Sequence, residues 1–275
     1  MIQEAVNLAC QIWFGLCMLV GLALDWAGCM AFTMLLPASE AQSRCCRWCH
    51  YMFLIFLIYS SPWIRVSPPS AEDFDRLLDR ERVCLLMNHT SFFDSVIFVG
   101  ITPPHIIWRY RTLMANKLFN TPFLGGVSRM VGHFPVFFKT TDEHSFVVDK
   151  TRQAGIMVKV KAHVESGGGL SLFPEGKINR NPGTICPFRR GTFSLIEEMD
   201  MSVVVLTTVG CNDAWPRDSA VGGLPSRVSM KLTEVTKAGD GLSAAAIQEK
   251  SEAIMQANVT AMREQRNGSS KPKES

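Results

Sequence analysis

Two apolar runs occupy most of the N-terminal part of the chain. The first, from Ala5 to Leu36, carries Asp25 as its only charge and exceeds the roughly 20 residues that a membrane span requires. The second, from Tyr51 to Ile64, is shorter. The polar positions between them predict a loop and include Glu40, Arg44 and Arg47. The pattern predicts an N-terminal hydrophobic helical membrane hairpin, which either crosses the bilayer or lies in one leaflet.

The first residues of the chain argue against a cleaved signal peptide. Met1-Ile2-Gln3-Glu4 lacks the positively charged n-region of a secretory signal, so we expect a retained anchor. A helix that is apolar all round also fits a buried helical pair in the core of a soluble protein, which is the alternative interpretation.

After Pro68-Pro69, short apolar runs alternate with helical patterns. Val83–Met87, Leu170–Phe173 and Val203–Leu206 suit buried strands, because strands covered on both faces are continuous apolar runs. The predicted fold class is α/β, with a mixed, largely parallel sheet flanked by helices. We divide the chain into membrane-associated helical segments (residues 1–66), an α/β domain (67–265) and a disordered tail (266–275).

The same patterns predict further elements of the α/β domain. In chain order these are a strand over His105–Trp108, a helix, break and helix over Leu113–Met130, a helix capped by Thr140 or Thr141 with Asp142 and Glu143 in its first turn, an edge strand over Val228–Leu232, and a C-terminal helix over Ser243–Gln265.

Composition narrows the classes of partner and of site. The chain has 275 residues and a net charge of +3, which does not indicate nucleic acid but suits a surface near anionic lipid. Its nine cysteines are scattered, so no disulfide framework is predicted. Cys45-Cys46-x-x-Cys49-His50 has the form of a zinc half-site but lacks a second Cys or His pair, so we expect no metal. Juxtamembrane acylation or unmodified thiols are the alternatives.

The candidate chemistry lies in the stretch Asn88–Asp94, directly after the predicted strand Val83–Met87. His89 and Asp94 would be about 140° apart on one helix, so His89 must lie in the turn and Asp94 in the first helical turn. Asp94 can then fold back to one ring nitrogen and leave the other to take a proton from a substrate hydroxyl. Ser91-x-x-Asp94 is also a capping-box pattern, in which Asp94 would only bind backbone N–H groups.

Asn88–Asp94 and the later Phe173-Pro174-Glu175-Gly176 resemble, in order, two signature blocks of the glycerolipid acyltransferases, in particular the lysophosphatidate acyltransferases. The resemblance covers about residues 65 to 235. Lys139 stands where the second block of the family usually has Arg. Glu175-Gly176-Lys177-x-Asn179, with Gly210–Asp213, is instead similar to the tafazzin-type phospholipid transacylases.

The resemblance implies a reaction and the residues that carry it. A fatty acyl group would pass from acyl-CoA, a co-substrate, to the free hydroxyl of a lysophospholipid, most simply from lysophosphatidate to phosphatidate, with His89 as general base oriented by Asp94. No metal or bound cofactor is implied. The residues implied in substrate binding are Lys139, Glu175, Gly176, Lys177 and Arg180.

Two other functions compete with this one. A tafazzin-like enzyme would move the acyl group between phospholipids without CoA, and a non-catalytic membrane lipid-binding protein would keep the scaffold without turnover. The expected partners are acyl-CoA, lysophospholipid and membrane lipid, with no nucleic acid and no protein partner. The expected location is the endoplasmic reticulum or another endomembrane, with the site facing cytosolic CoA.

Overall fold

The computed structural model describes residues 1–142 and 145–268. The helices are α1 Ile2–Leu35, α2 Ala38–Phe53, α3 Ala71–Leu78, α4 Phe93–Ile101, α5 Pro104–Ile107, α6 Leu124–Met130, α7 Lys150–Glu165, α8 Arg190–Glu198, α9 Cys211–Ala214 and α10 Ala244–Gly268, with a π-helical turn at Leu54–Tyr59 and a 3₁₀ turn at Asn116–Asn120. The strands are β1 Ile64–Ser67, β2 Val83–Met87, β3 Tyr110–Ala115, β4 Phe134–Val136, β5 Phe138–Asp142, β6 Ser145–Val148, β7 Gly169–Leu172, β8 Ser202–Val209 and β9 Ser226–Thr236.

The strands build one seven-stranded sheet of order β1-β9-β8-β2-β7-β3-β4, beside a β5–β6 hairpin. The five strands from β8 to β4 are parallel to one another, and β9 runs antiparallel to β8. Every residue of β2 and of β8 is buried, as expected for strands covered on both faces. The predicted α/β fold with a mixed, largely parallel sheet is confirmed.

The core has two layers, one on each face of the sheet, and β2 contributes to both. Val83, Leu85 and Met87 pack in the cluster that contains α3 and α4. Cys84 and Leu86 point into the cluster formed with α7, α8 and α10. This alternation follows from the period-two geometry of a strand, and it fixes the direction in which the chain leaves β2.

Several predicted elements differ in the structure. His105 to Ile107 lie in helix α5 instead of a strand, and Leu113 lies in strand β3. The predicted helix start at Thr140 or Thr141 is wrong, because these residues belong to strand β5 and the helix begins at Lys150 with Asp149 as its N-cap. Glu143 lies outside the described residues.

Strand β9, predicted as an edge strand, is covered by β1 on one side and β8 on the other. β1 spans residues 64–67, so the predicted boundary between residues 66 and 67 falls inside a strand of the sheet. Helix α10 continues to Gly268, and residues 269–275 of the predicted tail lie outside the described residues.

The N-terminal segments form a helical hairpin that packs on the α/β domain. The expected polar loop is wrong, because Glu40, Arg44 and Arg47 lie in helix α2. Its polar positions alternate with buried cysteines at helical spacing, which is the pattern of an amphipathic helix. Gly28 lets the two helices approach closely, since a Cβ there would lie 2.3 Å from Trp48 Nε1.

Candidate active site

The turn after β2 lies at the carboxyl edge of the sheet between the parallel strands β8 and β7. The buried Asn88 side chain fixes the end of this strand to β8, because its Oδ1 accepts from Thr208 N at 2.7 Å and its Nδ2 donates to Thr208 O at 2.9 Å. In parallel sheets, residues at this edge line the ligand crevice. His89 therefore leaves the sheet where a substrate can reach it.

The Asp94 carboxylate lies in the first turn of α4 and is 1% exposed. Its Oδ2 accepts from Thr90 N at 2.6 Å and Ser91 N at 2.8 Å, as in the capping interpretation. The same Oδ2 lies 3.5 Å from His89 Nδ1. The carboxylate therefore stabilises the turn and also faces the ring nitrogen.

The distance between Oδ2 and Nδ1 is longer than a hydrogen bond of good geometry, and Nδ1 is buried without a partner. Catalytic hydrogen bonds are often long before substrate binds and shorten in the complex. The His89 ring stacks on Phe173 with centroids 4.1 Å apart, and its side chain is 15% exposed. Because Nδ1 is buried, Nε2 is the ring nitrogen that is placed to accept a proton from a substrate.

Glu175 holds the backbone of His89 in place. Its Oε1 accepts from His89 N at 2.9 Å and its Oε2 accepts from Cys186 N at 2.8 Å. Burial raises the pKa of Glu175, although these N–H donors act in the opposite direction. Asn179 N donates to His89 O at 2.6 Å, so the loop after β7 binds both backbone groups of His89. Glu175 thus has a positioning contact, and its expected contact with the acceptor stays a prediction.

The remaining predicted binding residues surround this core of the site at different distances. Gly176 adopts φ +68°, and a Cβ there would lie 2.1 Å from Arg189 Nε, so the turn requires glycine. Lys177 and Arg180 are exposed on the same loop. Lys139 lies in strand β5 of the two-stranded hairpin and not in the main sheet. The structure therefore brings together His89, Asp94, Glu175 and Gly176, and the binding role of Lys139 stays a prediction.

Sequence reasoning missed the residue that binds the other side of Asp94. Thr208 Oγ1 donates to Asp94 Oδ1 at 2.8 Å, so the carboxylate is bonded through both oxygens. Cys211 lies beside it as a thiol, because burial first and the Asp94 charge second raise its pKa. The available signal was the Thr207-Thr208 pair that ends the apolar run of β8.

Comparisons with known proteins show that the chain is similar to acyltransferases. A model of the family described as Acyltransferase matches residues 70–209. A chloroplastic 1-acyl-sn-glycerol-3-phosphate acyltransferase of Brassica napus is 25% identical over 132 residues, which are 48% of this chain and 34% of that protein. The chain therefore aligns with about a third of the relative's length.

A solved structure shares the whole architecture. The crystal structure of the 1-acyl-sn-glycerophosphate (LPA) acyltransferase PlsC from Thermotoga maritima matches with a TM-score of 0.73 at 16% identity. The match covers 95% of this chain and 98% of that chain, so it includes the N-terminal hairpin. At this identity it shows a common fold.

Proposed function

Because this chain belongs to the Acyltransferase family, we propose that it is a membrane-associated 1-acylglycerol-3-phosphate O-acyltransferase. It transfers a fatty acyl group from acyl-CoA to the free hydroxyl of lysophosphatidate and so produces phosphatidate. The observation that carries the proposal is the partly exposed His89 ring, whose buried nitrogen faces Asp94 while both backbone groups are held by the loop after β7.

In this reaction His89 Nε2 removes the proton of the acceptor hydroxyl. The oxygen attacks the thioester carbonyl, and collapse of the tetrahedral intermediate releases the CoA thiolate, which takes the proton back from the imidazolium. Asp94 stabilises the imidazolium and fixes its tautomer. The acyl group arrives already activated on CoA, so the reaction needs no bound cofactor.

A basic cleft beyond the end of β8 supports a polyanionic donor. It is lined by Arg227, Arg263 and Arg266, and the last of these pairs with Asp213 at 2.5 Å. β8 is the strand next to β2, so this cleft and the His89 turn lie at the same edge of the sheet. Arginines suit phosphate recognition because their N–H groups form a planar fork. Lys139, Lys177 and Arg180 are the cations assigned to the acceptor phosphate.

Helix α1 supports association with one leaflet. It is 34 residues long, apolar enough to cross a membrane, and lies near the N-terminus. Gln11 bonds to Ser219 and Val221, and Thr33 contacts Met130, so domain contacts extend over about 33 Å of the helix. This length is slightly more than the hydrocarbon thickness of a bilayer, about 30 Å, so a crossing helix would draw the domain into the lipid. We therefore propose that α1 lies in the plane of the membrane.

The lipid acceptor then reaches the site from the same surface. Phe92, next to the catalytic turn, is exposed and packs against Trp215, which in turn contacts Phe14 of α1. The apolar face of α1 and the mouth of the site are thus joined by aromatic contacts. We assign the reaction to the endoplasmic reticulum or another endomembrane, with the site facing cytosolic CoA, and fractionation against reticulum and plastid markers tests this location.

The decisive experiment compares His89→Ala with His105→Ala in the purified full-length protein. His105 also pairs with an aspartate, at 2.8 Å from Asp75, but it is exposed on the surface. With labelled acyl-CoA and lysophosphatidate we expect His89→Ala to lose about 10²–10⁴-fold in kcat/KM, the usual contribution of a general base. His105→Ala should retain wild-type turnover. Equal turnover in both variants rejects His89 as the base.

A donor panel separates the competing functions. Phosphatidate formed from acyl-CoA supports the proposal, whereas acyl transfer from phosphatidylcholine in the absence of CoA identifies a transacylase instead. Binding of lysophosphatidate without product from either donor identifies a lipid-binding protein. A panel of lysophospholipids with one acyl-CoA then defines the acceptor.

A further inference from the structure

The helical hairpin encloses a cluster of ligand-type side chains that the acyltransfer reaction does not use. The cluster contains Asp25 and Cys29 on α1 and Cys49 on α2, all of them buried. One potential ligand atom from each lies within 4.8 Å of the others. Cys29 Sγ lies 3.7 Å from Asp25 Oδ1, and Cys45 Sγ lies 3.6 Å from Cys29 O.

The spacing of these residues follows from the packing of two helices. Asp25 and Cys29 are four positions apart on α1, and Cys45 and Cys49 are four positions apart on α2, so each pair lies on one helix face. The two faces meet because Gly28 allows Trp48 to approach. The other potential ligands of α2 point elsewhere, since Cys46 Sγ contacts Val131 O and His50 Nδ1 contacts Val99 O.

One carboxylate oxygen inside this cluster has no hydrogen-bond partner and is suited to bind a cation. Asp25 is 0% exposed, and its Oδ2 is buried without a hydrogen bond. Among the ion pairs of the described residues, no Lys or Arg is paired with it. The surroundings are apolar, including Val127 and Val131. Oδ1 accepts from Cys29 Sγ, but a buried carboxylate oxygen without a partner is costly, and buried charges are paired or coordinate metals.

We propose that Asp25, Cys29 and Cys49 form a tetrahedral zinc site, with Cys45 supplying the fourth ligand after a change of its side-chain rotamer. Thiolate and carboxylate ligands suit Zn²⁺, which binds sulfur at about 2.3 Å and oxygen at about 2.0–2.2 Å. These lengths place tetrahedral ligand atoms roughly 3.5–3.8 Å apart, close to the separation of Cys29 Sγ and Asp25 Oδ1. On binding, each ligating thiol releases its proton to solvent.

A metal explains this cluster better than a disulfide. A bond between two of the thiols would leave the Asp25 carboxylate in an apolar site without a cation. All three cysteines are free thiols in the structure. The expectation of no metal rested on the lack of a second ligand pair in the sequence, and the structure supplies that pair from α1, through an Asp and a Cys at helical spacing. Zinc bound here would cross-link α1 and α2.

The test measures metal in the full-length protein, purified in detergent with reductant and dialysed after zinc supplementation. We expect about one zinc per chain by mass spectrometry and, after exchange, the thiolate charge-transfer and tetrahedral d–d bands of Co²⁺. Cys29→Ser, Cys49→Ser and the isosteric Asp25→Asn should each reduce zinc affinity at least 10-fold, since even loss of an outer-shell partner costs about 10–100-fold. Cys46→Ser is the matched control and should retain the metal.

A measurement on the unaltered protein covers the case in which a variant does not fold. Chelation should lower the thermal unfolding temperature, and readdition of zinc should restore it. The proposal is overturned by wild-type protein that holds no stoichiometric zinc, by a disulfide that joins α1 to α2 under non-reducing conditions, or by equal zinc content in Cys29→Ser and wild type.

Discussion

At the scale of single residues, the position of the His89 ring depends on contacts to backbone and carboxylate more than on one His–Asp distance. The Asp94 carboxylate accepts from Thr90 N, Ser91 N and Thr208 Oγ1 while it faces His89. Buried networks of this kind specify one arrangement when every member is satisfied. The weakest link, His89 Nδ1 to Asp94 Oδ2 at 3.5 Å, is the one that substrate binding can shorten.

The contribution of Thr208 can be measured by Thr208→Val, which removes only the hydroxyl. Hydrogen bonds to charged groups contribute about 1.5–3 kcal/mol, so we expect kcat to fall roughly 10- to 100-fold as Asp94 loses its fixed orientation. KM for lysophosphatidate should change less, because Thr208 is buried behind Asp94. The measurement is steady-state acyl transfer.

Thr207→Val is the matched control for this variant. Thr207 is equally buried on the opposite face of β8, where its Oγ1 accepts from Asn258 Nδ2. It should cost stability without a selective loss of kcat. If both threonine variants lose the same activity, the effect comes from the strand and not from Asp94.

These two threonines also show how far the sequence could define the site. His89 and Asp94 were predictable because strand, turn and helix adjoin one another in the chain. Thr208 was not, since its contact depends on the register of β2 against β8, in which Met87 lies opposite Leu206. A slip of one residue would place Thr207 at Asp94 instead, and no local pattern fixes that register.

At the scale of elements, the loop between β7 and α8 supports the turn that carries His89. Glu175 and Asn179 of this loop form hydrogen bonds with the backbone of His89. The two ends of the loop are joined by a hydrogen bond from Arg189 N to Pro174 O at 2.9 Å. The Gly176 turn sets the course of this loop. Its rigidity is therefore a condition for the geometry at His89.

Gly176→Ala tests this dependence. An L-residue at positive φ costs about 1–2 kcal/mol, and the added Cβ would displace Arg189. We expect the free energy of unfolding to fall by about that amount and kcat to fall further than stability alone explains, because small misplacements at the reacting atoms can cost about 10²-fold. Denaturant titration and acyl transfer give the two quantities.

Gly191→Ala provides a control of opposite sign. Gly191 lies in helix α8, and nothing lies within 4 Å of its added Cβ. Alanine there should stabilise the protein by up to about 1 kcal/mol and leave turnover unchanged. A Gly176→Ala protein with wild-type kcat contradicts the positioning role of the loop.

Errors in the predicted elements have local physical causes. His105–Trp108 contains two isoleucines and suggested a strand, but Pro104 at the first helical position starts α5. The capping pattern at Thr140 and Thr141 was weaker than that at Asp149, whose side chain accepts from Thr151 N and Arg152 N. The buried strands were predictable because tertiary context and local pattern agreed there.

At the scale of the whole molecule, a histidine that is shielded from water makes stability depend on pH. Burial lowers the pKa of His133 to about 3, with the Arg111 charge acting in the same direction. Between that value and the ordinary one near 6.5 the unfolded chain binds more protons than the folded protein, so stability falls as pH falls through this window. The raised pKa of Glu175 acts in the opposite sense.

Denaturant unfolding at pH 7.5 and pH 5.0 tests this dependence. His133 should account for about 2 kcal/mol of the loss at the lower pH, from the protonation of its unfolded form. His133→Asn retains an acceptor for Thr112 N and should reduce the pH difference by that amount. An unchanged difference in the variant excludes His133 as its source.

The outward face of α1 is the surface through which we propose that the molecule contacts lipid. Leu8, Ile12, Leu16 and Leu19 are more than half exposed and share one side of the helix, while Phe14 on the other side is buried against Phe93 and Trp215. One helix thus separates an exposed apolar row from a row that packs beside the His89 turn. Replacing the first row should change membrane binding without changing the fold.

The double variant Leu16→Gln/Leu19→Gln tests this separation with vesicles that contain anionic lipid. Each leucine is about half exposed and would contribute about 1 kcal/mol on insertion, so partitioning should fall roughly 10- to 30-fold. Turnover of short-chain, water-soluble acceptor should persist. Val158 on α7 is 68% exposed, and the control variant Val158→Gln should bind vesicles as wild type does. If all variants bind equally, lipid contacts a different surface, and the acceptor must reach His89 without passing along α1.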